Sequence, residues 1–290
     1  MSERPGRRDV RPDRRGAPDC YTGRRVRYQA RPTVTHLAAW PVIVLAGLGV
    51  GLSMGLFGVG GSSVATPLLA LLGAPGLIAV ASPLPATIPS AAVGAVPYLR
   101  SREARPRAAA WSVLGGIPGT VAGALLSRLV GGPVLLVLSG IVLIVIGARV
   151  VRPISESTRQ EGTRRRQNRL LLAASAAAVG VFTGLLANGG AFLLVPLYLL
   201  VFGLRMRQAV GTSLLVITVL AIPTLVTHWA LGHIDWVLAG EFAAGLIPGA
   251  VAGSLLAHKI NGLVIRRSFG VFLMVFGAAF TAYQIGTGRG

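Results

Sequence analysis

Two glycine-rich stretches bring together the groups in this 290-residue chain best suited to holding a small anion: Gly58-Val59-Gly60-Gly61-Ser62-Ser63 and Asn188-Gly189-Gly190. Each is followed at once by a short apolar run, residues 62–72 and 191–202. A helix that starts at such a break points its first free N–H groups, and about half a positive charge, at whatever lies before it. Glycine adds no side chain, so a ligand can approach the backbone closely. Ser62, Ser63 and Asn188 either cap these helix starts or donate to an oxyanion. Thr212 and Ser213 supply further hydroxyls, and Ser82 occupies a similar place in the first half. Against that reading, membrane glycines usually serve helix packing, and Ser and Thr often bond their own helix backbone. The shortness of the two runs favours binding at the breaks. Pro118-Gly119 and Pro248-Gly249 read instead as kinks or packing surfaces. The candidate substrate-binding set is therefore Gly58, Gly60, Gly61, Ser62, Ser63, Asn188, Gly189, Gly190, Thr212 and Ser213.

Little else in the chain has the chemistry for a site. Glu241 is the one acid well inside an apolar stretch, and an intramembrane carboxylate is a proton-relay candidate by default, with His228 as its conceivable partner. Asp235 lies less than two turns away, so a solvated, interfacial Glu241 is the plainer reading. His36, His233 and His258 fall near the ends of apolar stretches. No Cys/His/Asp/Glu cluster has metal-ligand spacing, no cofactor is implied, and the single cysteine, Cys20, cannot form an internal disulfide. No nucleophile with a base and no carboxylate pair falls within the apolar stretches, which argues against an enzyme.

The elements that must position these groups are membrane helices. Hydrophobic residues make up 53% of the chain and charged residues only 13%, against roughly 25% in an ordinary soluble domain. The mean hydropathy of +0.68 agrees. Most of the net charge of +19 sits in three blocks: residues 1–31 carry +6, residues 99–108 carry +3, and residues 149–169 carry +5. Basic blocks between uncharged apolar stretches are what the positive-inside rule produces. No basic groove is interleaved with aromatics, so nucleic acid is not the partner; the lipid bilayer is. Expected spans are 37–57, 77–98, 109–128, 133–151, 170–187, 208–230, 236–257 and 263–284, all helical, with Trp40, Trp111, Trp229 and Trp236 at span ends. Runs 62–72 and 191–202 rise only about 17 Å as helix, too short to cross.

The chain is duplicated. Gly55-Leu56-Phe57-Gly58-Val59-Gly60-Gly61 with Pro67 matches Gly184-Leu185-Leu186-Ala187-Asn188-Gly189-Gly190 with Pro196, and Ile117-Pro118-Gly119-Thr120-Val121-Ala122-Gly123 matches Ile247-Pro248-Gly249-Ala250-Val251-Ala252-Gly253. Loop 99–108 is basic and belongs inside, whereas its counterpart 232–235 lacks Lys and Arg and belongs outside. Corresponding loops on opposite faces mean inverted repeats. The expectation is an all-α polytopic membrane protein of two inverted repeats with short broken or re-entrant helices, at the cell membrane. A basic tail (1–36) precedes a first repeat (37–151), a cytoplasmic linker (152–169) and a second repeat (170–290). The internal loops place the start of the first repeat outside, in conflict with the preference of a tail of net charge +6 for the cytoplasm.

The Gly-x-Gly-Gly break, the proline six residues on, the repeated Pro-Gly-x-x-Ala-Gly block and the stretch Gln208-Ala209-Val210-Gly211-Thr212-Ser213-Leu214 resemble the sulfite exporter TauE/SafE family of membrane permeases over roughly residues 37–285. Ser62 and Ala191 stand where the family has a third glycine. The resemblance implies a two-fold repeated helical permease for sulfite, sulfonates or related sulfur-containing anions, with or without a coupled proton. Two alternatives stand beside it: an inverted-repeat permease for another small metabolite, and a membrane assembly protein that transports nothing.

Overall fold

Proline and glycine decide where this apolar chain stops being helical. The computed structural model describes residues 40–74, 76–126, 132–152, 169–185 and 191–287, and every regular element among them is helical. The tail 1–36 (with Cys20 and His36), most of the linker 152–169, and Asn188, Gly189 and Gly190 lie outside the described residues. α1 (Trp40–Phe57) ends at the first break, and α2 (Gly61–Leu71) begins directly after it. The expected span 77–98 is divided into α3 (Gly76–Ala81) and α4 (Leu84–Arg100) by a turn at Ser82 and Pro83. Pro83 and Pro85 lack the N–H groups that would carry one helix through. α5 (Pro106–Leu126) opens on a proline, where a missing N–H costs nothing. α6 (Gly132–Val151) and α7 (Arg169–Leu185) follow.

The second short run is helical but irregular. It passes from a 3₁₀ turn (Ala191–Leu193) through a single α turn (Leu194–Pro196) to a π turn (Leu197–Val201). Pro196 cannot donate to the carbonyl four residues back, and the hydrogen-bond register changes around it. α8 (Met206–Ala230), α9 (Trp236–Lys259) and α10 (Gly262–Thr287) complete the chain. Gln208 caps the start of α8 by accepting from the Arg205 amide, and Asp235 caps α9 by accepting from Val237 and Leu238.

α1 packs along α9, α5 along α7 and α6 along α10, while α4 lies against both α8 and α9. Small residues set the first two crossings. A Cβ on Gly245 would overlap the Val44 carbonyl and one on Gly249 the Leu48 carbonyl; a Cβ on Gly115 would overlap the Ala173 carbonyl and one on Gly119 the Ala177 carbonyl. Gly51 approaches Leu246 and Ala250 as Gly180 approaches Gly116 and Thr120. The second crossing thus repeats the first at the offset of about 130 residues that relates the two sequence blocks. In both crossings the contacts advance together along the two chains, so the helices run parallel. The counterpart helices α4 and α8 run antiparallel, with Tyr98 beside Gly211 and Gly94 beside Leu214. α6 and α10 are antiparallel too, with Gly147 beside Met274 and Val151 beside Gly270.

Outward-facing positions are apolar: Leu45, Val145 and Val275 are more than half exposed, as are Trp40, Trp229 and Trp236. Trp111 differs from expectation, lying six residues into α5 and packed against the core. Five stretches among the described residues, Trp40–Phe57, Ile78–Arg100, Met206–Ala230, Trp236–Lys259 and Gly262–Ala279, are long and apolar enough to cross a membrane.

Candidate functional site

The first break is held open by backbone geometry and one buried hydroxyl. Gly58 adopts φ +68°, a left-handed conformation that turns the chain back at the end of α1. Its N–H donates to Met54 O, and its own carbonyl accepts from the Ser213 hydroxyl on α8 at 2.9 Å. Gly60 then sits at the start of α2 without any side-chain cap. The Ser63 amide turns back to Gly60 O at 3.1 Å, but no preceding turn can accept from the first amides of α2. Gly61 is buried against Thr87, Met54 and Leu246, so α2 begins deep between the long helices rather than at their ends.

A cavity of about 70 Å³ lies at this helix start. It has room for roughly five waters, or one small oxyanion. Its polar wall is Gly60 and Ser62 at the start of α2, Thr87 on α4, Ser112 and Thr120 on α5, and Thr224 on α8. Leu84, Ala176, Val179, Leu194, Ile217 and Leu220 supply most of the apolar remainder, and among the described residues none that lines the cavity is ionisable. Ser62 is only 6% exposed, and its hydroxyl has no partner among the described residues. The other hydroxyls are oriented. Thr87 donates to Pro83 O at 2.9 Å and Thr120 to Gly116 O at 2.8 Å, so each offers the cavity a lone pair. Ser112 accepts from the Tyr198 hydroxyl at 2.6 Å and keeps its own proton to donate.

The candidate residues separate on this geometry. Gly60 and Ser62 line the cavity, with Gly58, Gly61 and the buried Ser63 forming the turn behind them. Thr212 and Ser213 are committed to the backbone: Thr212 donates to Gln208 O and accepts from the Arg105 amide, and Ser213 holds Gly58. Ser82 accepts from the Asp235 amide. Asn188, Gly189 and Gly190 lie outside the described residues. His228 faces His233, with Nδ1 atoms 3.4 Å apart, and is not paired with the half-buried Glu241. Sequence reasoning did not single out Thr87, Ser112, Thr120 or Thr224. Ser112, Gly116 and Thr120 are spaced by four, a small and hydroxylated stripe on one face of α5, and that stripe was the available signal.

A second polar cluster closes the end where α4 meets α5. The Glu103 carboxylate lies 3.2 Å from His258 Nε2 and 3.6 Å from an Arg207 guanidinium nitrogen. Arg207 also donates to the carbonyls of Ala257, His258 and Ile260, satisfying the C-terminus of α9. The Tyr98 hydroxyl reaches Gly55 O at 2.8 Å, which sets the ends of α1 and α4 at one level.

Comparison with known proteins decides the family. Residues 43–280 match the family described as sulfite exporter TauE/SafE. The chain belongs to that family. It is 30% identical over 245 residues to a probable membrane transporter protein of Xylella fastidiosa (strain 9a5c), covering 80% of this chain and 92% of that one. It is 27% identical over 243 residues to the probable membrane transporter protein YunE of Bacillus subtilis, covering 76% and 88%. It is also 25% identical over 252 residues to YjnA of the same organism, covering 81% and 97%. No solved structure matches the chain. The family and the long apolar helices make it a multi-pass membrane protein and a membrane transporter.

Proposed function

We propose that this transporter is a secondary carrier in the cell membrane for small sulfur-containing anions such as sulfite or sulfonates, and that it works by alternating access between two inverted repeats. The observation that carries the reading is the uncharged cavity where α2 starts without a side-chain cap and where the Ser62 hydroxyl has no partner among the described residues, in a member of the sulfite exporter family. Such a site binds anions through neutral donors and the helix field, with no fixed cation to hold the ligand permanently. The reciprocal packing of α1 on α9 and α5 on α7, together with the antiparallel α4–α8 and α6–α10 pairs, supports the inverted-repeat plan. In that plan loop 101–105 is cytoplasmic and loop 231–235 is external. The second break, Asn188-Gly189-Gly190, stays in the proposed substrate-binding set on its sequence pattern, and Glu241 and His228 are left as candidates for coupling a proton.

The test is flux of labelled sulfite into proteoliposomes, with thiosulfate, sulfate and sulfoacetate as competitors. Saturable uptake, inhibited by at least one related anion and abolished by Asn188→Leu in folded protein, is the expected result. Absence of flux for every anion, with and without a proton gradient, overturns the sulfur assignment.

A further inference from the structure

From the charge and hydrogen-bond polarity of the cavity, we infer that the species it takes is a singly charged, protonated oxyanion: hydrogensulfite rather than the sulfite dianion. The inference rests on the carrier reading above and concerns the protonation state of the ligand at that same site.

Two independent features of the cavity point there. The first is charge. Among the described residues none that lines the cavity is ionisable, so the field they offer an anion is that of the α2 N-terminus, about half an elementary charge. That offsets a larger share of a monoanion's charge than of a dianion's. The cost of taking an ion out of water grows with the square of its charge, so the dianion also starts from about four times the desolvation penalty.

The second feature is the sense of the hydrogen bonds. The α2 amides, the Ser62 hydroxyl, which has no partner among the described residues, and the Ser112 proton are donors. Thr87 and Thr120 have spent their protons on Pro83 O and Gly116 O, and they turn lone pairs into the cavity. A fully ionised oxyanion is all acceptor and is repelled by those two oxygens. A protonated one carries the single donor that a lone pair from Thr87 or Thr120 can accept.

The ligand's own titration gives the test. Sulfite has its second ionisation near neutral pH, whereas methanesulfonate is a monoanion throughout that range. Flux of both is measured in proteoliposomes with the same pH on the two faces, stepped across neutrality, with protein-free vesicles subtracted for passive permeation. The titratable groups on the elements around the cavity are the Tyr198 hydroxyl on Ser112, His228 one turn beyond Thr224 on α8, and Glu241 on α9, with Arg207 on α8 and His258 and Lys259 on α9 at the end held by Glu103. α2 carries no titratable side chain, and α4, α5 and α7 carry theirs only near the ends away from the cavity: Tyr98 and Arg100, Arg107, and Arg169. Methanesulfonate reports any titration of these groups, because it does not titrate itself.

The expected result is flux at fixed total sulfite that falls by about tenfold for each pH unit above the second ionisation, with methanesulfonate flux level. In Thr87→Val, which removes one acceptor at nearly constant volume, the ratio of hydrogensulfite to methanesulfonate flux falls several-fold. Sulfite flux that stays level or rises with pH, beside level methanesulfonate flux, overturns the inference and leaves the carrier reading standing. A parallel fall of both substrates assigns the titration to the protein and likewise overturns it. If neither anion moves through folded protein, the carrier reading itself fails.

Discussion

At the scale of single residues, the site depends on a few atoms that hold the first break in place. Gly58 can take φ +68° without penalty, and a Cβ there would also press on Val210 Cα at 3.0 Å. Gly58→Ala is therefore expected to destabilise the protein by about 1–3 kcal/mol, read as a lowered thermal midpoint in detergent. The polar cluster at the α4–α5 end separates two kinds of contact. Arg207→Met leaves three carbonyls at the end of α9 without their donor and should cost about 1–3 kcal/mol. Glu103→Gln removes ion pairs whose side chains are still about a quarter exposed, and should cost no more than about 1 kcal/mol. Equal losses in the two variants would show that the ion pairs, and not the capping of α9, hold this end. Much of the break was legible in the sequence, because a glycine cluster before a short apolar run has few other uses. The fates of Thr212 and Ser213 were not. Whether a hydroxyl faces a ligand or a carbonyl depends on which turn of a neighbouring helix stands opposite it, and Gly58, 155 residues away from Ser213, settles that question.

At the scale of elements, glycine and alanine stripes decide which helices meet. Gly115 and Gly245 occupy equivalent places in two crossings built alike, and each would drive a Cβ into a facing carbonyl. Gly115→Ala and Gly245→Ala are expected to lower stability by similar amounts, about 1–3 kcal/mol each, in thermal unfolding. Gly240, on the same helix as Gly245, has nothing within 4 Å of a Cβ, so Gly240→Ala should be neutral or slightly stabilising. A large cost at Gly245 with none at Gly115 would argue that the crossings are not equivalent. The sequence located these helices because uncharged stretches of about 20 residues have one common reading. It missed the turn at Ser82-Pro83, which interrupts an otherwise continuous apolar stretch, and it placed Trp111 at an interface when the residue packs inside α5's contacts. Hydropathy measures how apolar a stretch is and carries no information about which neighbour covers it.

At the scale of the whole molecule, the claims are orientation and the cavity between the helices. Parallel α1–α9 and antiparallel α4–α8 packing set the end of α4 and the start of α9 at opposite ends of the helical body. In a Cys20→Ser background, Ser101→Cys should label with an impermeant thiol reagent only from the cytoplasmic side, and Gly232→Cys only from outside. Labelling of both from one side would contradict the inverted plan. Two ordered sequence blocks pointed to a duplication, but the cavity was not readable. Its wall draws on α2, α4, α5, α7 and α8, and only their packing brings Ser62, Thr87, Ser112 and Thr120 together.

Sulfite binding to the purified protein, followed by titration calorimetry and compared with Ser62→Leu, tests the central claim most directly. Ser62 lies at the start of α2, almost fully buried, with its hydroxyl unpartnered among the described residues. Leucine there fills the cavity and removes the donor while leaving the helix crossings untouched. Saturable binding by the native chain that disappears in the folded variant is the predicted result. Undiminished binding by folded Ser62→Leu would contradict the account and place the anion elsewhere.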